Sequence, residues 1–134
     1  MVTKEDIESF LDRLSIEGTM YEEIGDGIWV VHLGGSLGTD VVVSYTPPVV
    51  VMRMKVMDLP DDDAAVASLT RRLLELNATD LVHGSYGIEA AAIVLTEALE
   101  LSHLDYDEFL ASYEGMTVAL ASHLRELAPY REAR

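Results

Sequence analysis

The sequence predicts one α+β domain, and three observations carry that prediction. Apolar residues recur at helical spacing near the N-terminus (Ile7, Phe10, Leu11, Leu14), again from Val66 to Leu76, and again from Phe109 to Leu127. Between the first two of these blocks, from Met20 to Met57, the period falls to two, as in strands. The chain has 134 residues, enough for one core and one domain.

Composition narrows the partners. The formal net charge is −15 at pH 7. Such a surface repels nucleic-acid phosphates and anionic lipid and attracts a basic protein surface. There is no cysteine, which excludes disulfides and thiolate chemistry. Residues 1–10 carry acids where a signal peptide has an apolar stretch, and no apolar run reaches bilayer-spanning length. The expectation is a soluble, cytoplasmic protein that binds neither nucleic acid directly nor membrane.

Thr3 suits a helix N-cap, with Asp6 three residues on as a weak capping box, and Gly18 stops this first helix. Tyr21 to Ile24 reads either as a short edge strand or as a lead-in. Asp26-Gly27 signals a turn. Ile28 to Leu33 is a strand apolar on both faces, Gly34 to Gly38 a loop, and Asp40 to Thr46 the next strand. Pro47-Pro48 must leave that strand, because proline cannot donate to a ladder. Val49 to Met57 is a third strand, with Val50, Met52, Met54 and Val56 on one side and Val51, Arg53 and Lys55 on the other. Short links between these strands favour an antiparallel meander.

Leu59-Pro60 ends the sheet segment, and Asp61, Asp62 and Asp63 sit where a helix N-terminus accepts negative charge. The stretch Leu73-Leu74-Glu75-Leu76-Asn77 closes the second helix, whose buried stripe is Val66, Leu69, Leu73 and Leu76. Asn77 suits a C-terminal position with positive φ. From Leu81 to Leu101 the signals conflict. Ile88, Ala92, Leu95 and Leu99 with Ala90-Ala91-Ala92 favour helix, while the glycines at 84 and 87 and Ile93-Val94 oppose it. Local pattern alone reads helix here. Asp105 caps the last helix with Glu108 at its third position, and Leu104 is placed to staple onto Phe109. Pro129 marks its end, with a frayed tail to Arg134.

No catalytic constellation stands out. Gly34-Gly35-Ser36-Leu37-Gly38 lacks the lysine and following helix of a phosphate loop. The Asp61–Asp63 cluster lacks the alternation of a calcium loop. His32, His83, His103 and His123 show no zinc-site spacing, and no Ser-His-Asp set has a nucleophile elbow. Neither cofactor nor metal is expected. The methionines at 52, 54 and 57 read as core.

The order of elements, with Trp29, Leu59-Pro60, Leu73 to Asn77, Gly84-Ser85-Tyr86-Gly87-Ile88, Leu99-Glu100-Leu101, Leu104 and Phe109, resembles the YbjN-like family and the related class I type III secretion chaperones. The resemblance spans residues 7–127. It implies that Val82–Ile88 and Ala92–Glu97 form a β-hairpin, against the local helical propensity, although an alanine-rich turn is unusual in a hairpin. It also implies homodimers that bind protein segments, without catalytic residues. The expected fold is therefore α+β: helix, antiparallel β-meander of three strands, helix, β-hairpin and long C-terminal helix in a single domain, 1–134. The expected function is a non-enzymatic, chaperone-like module that binds a client segment through its sheet. A stress-response adaptor that modulates an enzyme or a nucleic-acid-handling protein is the alternative. An antiparallel sheet needs only one buried face. The strands are apolar on both, so Trp29, Val31, Tyr45, Val49 and Val51 are the expected contact residues, with Arg53 and Lys55 at the rim.

Overall fold

A computed structural model describes residues 1–16, 18–33 and 38–132. The loop expected at Gly34–Gly38 falls outside the described residues except for Gly38. The chain runs α1 (Lys4–Ser15), β1 (Met20–Gly25), β2 (Ile28–His32), β3 (Val41–Thr46), β4 (Val49–Asp58), α2 (Asp63–Thr79), β5 (Ser85–Glu89), β6 (Ala92–Glu100) and α3 (Tyr106–Glu132). The six strands form one sheet in the order β1-β2-β3-β4-β6-β5, antiparallel at every pairing. The meander thus has a fourth member: Tyr21 to Ile24 belongs to an edge strand rather than to a lead-in.

α1 forms as its sequence promises. The Asp6 amide donates to Thr3 Oγ1 at 3.2 Å and the Thr3 amide to Asp6 Oδ2 at 2.9 Å. These bonds favour the ionised form and hold the Asp6 carboxyl below its usual range. Ile7, Leu11 and Leu14 are buried on one side. Gly18, at φ +98°, turns the chain toward β1.

In β4 the expected alternation holds: Val50, Met52, Met54 and Val56 are buried, while Val51 and Arg53 are half-buried and Lys55 is exposed. A bulge between Lys55 and Met57 breaks the register with β6, and Val56 and Met57 are both buried there.

α2 starts at the aspartates, with the Asp62 carboxylate accepting from the Ala65 amide at 2.9 Å. It runs past Asn77 to Thr79, so Asn77 does not end the helix. It faces β5 instead. Its side-chain amide donates to the Tyr86 carbonyl at 3.1 Å, and its carbonyl accepts from the Tyr86 amide at 2.7 Å. A side chain here satisfies the main-chain groups that an edge strand leaves free.

The helix favoured by local pattern at 81–101 is absent; a hairpin stands there, as the family resemblance implies. Its first strand begins at Ser85 rather than Val82, and its second extends to Glu100. The turn is Ala90-Ala91, with φ of +48° and +64°. Left-handed alanine costs roughly 1–2 kcal/mol per residue. A bond from the Leu59 amide to the Ala91 carbonyl, 2.9 Å, helps to hold the turn in place.

α3 is capped as expected, the Glu108 amide donating to Asp105 Oδ1 at 2.8 Å. It does not stop at Pro129. It continues to Glu132, because the last turn is tied down: Tyr130 Oη meets Ser68 Oγ at 2.8 Å and Arg131 donates to the Val56 carbonyl at 2.8 Å. The fixed φ of proline suits a helix, and the contacts of Tyr130 and Arg131 offset the helical bond that Pro129 cannot make.

The core lies between one face of the sheet and the three helices. Trp29, Val31, Val43, Met52 and Leu95 line its sheet side. Ile7, Leu69, Phe109, Met116 and Leu120 line its helix side.

Candidate protein-binding surfaces

The seven residues expected to contact a client do not share a surface. Trp29 and Val31 point under the helices and are 0% exposed. Tyr45 is half-buried against the same core. Val49, Val51, Arg53 and Lys55 lie on the opposite face. The reason is the strict alternation of a strand: Trp29 pairs with Val43, and Val43 with the buried Met52, so all three look inward. Trp29 and Val31 therefore belong to the core and not to a contact surface. The Trp29 indole Nε1 is buried with no hydrogen-bond partner among the described residues.

The open face is built from the other half of each strand. One row across the sheet is Ile28, Ser44, Val51 and Ala98; the next is Val30, Val42, Arg53 and Thr96. The valines are half-buried, and Ile28 is exposed. Each cation of this face is already paired. Arg53 binds Glu89 across the sheet, and Lys55 Nζ lies 2.8 Å from Asp58 Oδ1. At the other end, His32 sits between Glu22, at 3.5 Å, and Asp40, at 3.4 Å. The rim is thus net acidic.

A second surface lies where α2 meets β5. Leu74 is 67% exposed and Ile88 is 56% exposed, and an apolar groove of about 210 Å³ runs between them over Leu73, Tyr86 and Ile93. Arg71 and Glu75 are exposed on the same helix beside Leu74.

Sequence reasoning missed the polar joint behind this groove. His123 of α3 is 5% exposed; its Nδ1 lies 2.6 Å from Tyr86 Oη and its Nε2 2.5 Å from Asp80 Oδ2. Burial pushes the Tyr86 phenol well above its usual range. The only hint in the sequence is a histidine between the apolar positions Leu120 and Leu127, a weak signal. Among the described residues, no group of three histidine, aspartate or glutamate side chains is arranged to hold a metal ion. No described helix is long and apolar enough to cross a membrane.

The type III chaperone family model CesT_Tir_1 matches residues 1–133. No curated protein matches the chain. Among solved structures, the chain is similar to one in the heterodimeric ExoU-SpcU complex from the type III secretion system of Pseudomonas aeruginosa. That match has 16% identity and a TM-score of 0.64, covering 94% of this chain and 98% of the other. YbjN from E. coli gives 16% identity and a TM-score of 0.64, covering 94% and 96%. A chain of the HopA1-SchA chaperone-effector complex gives 13% identity and a TM-score of 0.60, covering 95% and 94%. At these identities the structural likeness speaks for the fold, and the family match speaks for kinship: the chain belongs to the CesT_Tir_1 family of type III chaperones.

Proposed function

We propose that the protein is a non-enzymatic chaperone that works as a homodimer and holds a segment of a client protein against the open face of its sheet. The observation behind the client reading is the aliphatic band of Ile28, Val30, Val42, Val49 and Val51 across three adjacent strands. Among the described residues no helix packs on that side. An apolar band with a polar rim is the usual form of an interaction surface. Family membership points the same way, as does the likeness to a chain of a chaperone-effector complex. The surplus of carboxylates around the band favours a client whose apolar residues are flanked by lysine or arginine. Because Arg53 and Lys55 are already paired, no cationic track is left for nucleic acid on this face.

The reading of self-association rests on the α2–β5 surface. Leu74 and Ile88 are large, apolar and exposed on either side of one groove. A two-fold axis crossing α2 would seat each Leu74 in the partner's groove and set Arg71 of one copy against Glu75 of the other.

One experiment with two variants tests both parts. Val51→Glu should lower the client recovered with the native protein about tenfold and leave the sedimentation mass unchanged. Leu74→Glu should do the reverse to the mass, converting dimer to monomer. Unchanged client recovery with Val51→Glu rejects the open face. A monomer mass for the unmodified protein at tens of micromolar rejects the dimer.

A further inference from the structure

His123 is where three elements meet. Asp80 closes α2, Tyr86 lies on β5, and His123 itself is on α3. The charged and titratable groups facing the imidazole are Asp80, Tyr86 and, one turn along α3, Glu126, which is bound to Arg72 of α2. The proton positions follow from chemistry. A carboxylate only accepts, so the nitrogen facing Asp80, Nε2, carries hydrogen. The other nitrogen, Nδ1, is then an acceptor, and the Tyr86 hydroxyl donates to it. Every group at the joint is satisfied with a neutral imidazole in one tautomer.

Adding a proton changes the two ends differently. On the Asp80 side, an existing hydrogen bond gains charge and shortens the link between α2 and α3. On the Tyr86 side, Nδ1 becomes a donor, so the phenol oxygen must accept. The phenol's own hydrogen then needs a new acceptor, and His123 is the only hydrogen-bond partner of that hydroxyl among the described residues. A buried O–H left without a partner is costly. Acid therefore strengthens one link and strains the other.

We propose that the Asp80–His123–Tyr86 joint is a pH-sensitive latch: protonation of His123 tightens α2 to α3 while releasing the edge strand β5 from α3. The released element is specific. Tyr86 is also the residue whose main chain is clasped by Asn77, so the latch and the clasp hold the same point of β5 from two sides. Release leaves the Asn77 clasp and the ladder to β6 to hold the strand. The latch stands on its own geometry, whether or not the open face of the sheet binds a client.

Amide hydrogen exchange followed by NMR on the intact protein tests this, together with the ring-nitrogen shifts of His123. At about pH 7.5 the shifts should report the tautomer with hydrogen on Nε2. Between about pH 7.5 and about pH 5.5, exchange of the β5 amides, corrected for intrinsic rates, should rise about tenfold relative to those of β3. Tyr86→Phe removes the hydroxyl and should make β5 exchange independent of pH over that range. Three results would each overturn the proposal: hydrogen on Nδ1 at the higher pH, β5 exchange that tracks β3 throughout, or a pH dependence that survives Tyr86→Phe. The first two are read on the unmodified chain and do not depend on a variant folding.

Discussion

The two faces of the sheet use nearly the same residues and meet opposite fates. On the covered face, Trp29, Val31, Val41 and Val43 are sealed beneath the helices, at 1% exposure or less. On the open face, Ile28, Val30 and Val42 sit one residue away along the same strands and keep contact with solvent. The difference is set by neighbours and not by composition. The row through Trp29 and Val43 continues to Met52, beneath the large apolar residues of α3, whereas the row through Val30 and Val42 continues to Arg53. Apolarity on both sides of a strand therefore says that two surfaces need covering, and it leaves open which one the chain covers itself.

The sharpest way to break this comparison is a matched pair of truncations. Trp29→Ala should cost about 3–5 kcal/mol, since it empties a fully buried site. Val30→Ala, next along the strand but on the open face, should cost less than about 1 kcal/mol. Denaturant unfolding of both variants checks this, and similar losses would mean that the faces are not distinguished energetically.

A smaller effect should come from the hairpin turn, which serves both faces because β6 sends Leu95 inward and carries Thr96 on the open face. Ala91→Gly should raise stability by about 0.5–1 kcal/mol, as glycine accepts a φ of +64° without steric cost. A thermal melt that shows a lower midpoint would argue that the turn is not left-handed.

Smallest is the contribution of an ion pair to the cover itself. Arg72 of α2 holds the Glu126 carboxyl of α3 below its usual range. The folded value is the lower one, so the stabilisation is present above the ordinary glutamate value of 4.5 and fades as pH falls through the folded value. Both side chains are around 40% exposed, so solvent screens the pair. Glu126→Gln should cost about 0.5 kcal/mol near neutral pH, and less in acid. A loss that is constant from neutral pH down to acid, measured by urea titration, would assign the effect to something other than the charge.

The legible parts of the sequence were those where a local rule and the tertiary structure agree. The Thr3–Asp6 cap, the alternation along β4 and the apolar stripe of α3 stand as read, and so does that of α2 except at Val66, which is only half-buried. The hairpin was legible only through resemblance, because Ala90 and Ala91 favour helix on their own and take left-handed angles in a turn tied to Leu59. Asn77 and Pro129 were misread as helix ends for one reason. Each obeys a terminal preference in isolation, and each is overruled by a partner far along the chain: Tyr86 for the first, Val56 and Ser68, met by neighbouring residues, for the second. The contact set failed at Trp29 and Val31 because choosing a face requires knowing where α1 and α3 pack. The joint at His123 was hidden because its three members are spread from residue 80 to residue 123.

The position of α3 has a consequence in time. Phe109, Met116, Leu120 and Leu127 close the core over strands made long before them. A helix of 27 residues takes on the order of seconds to synthesise at about 5–20 residues per second. For that interval the growing chain shows Trp29, Val43 and Met52 to its surroundings, with only α1 and α2 available as shelter. A protein proposed to guard the apolar segments of others is, while it is being born, itself in need of a guardian.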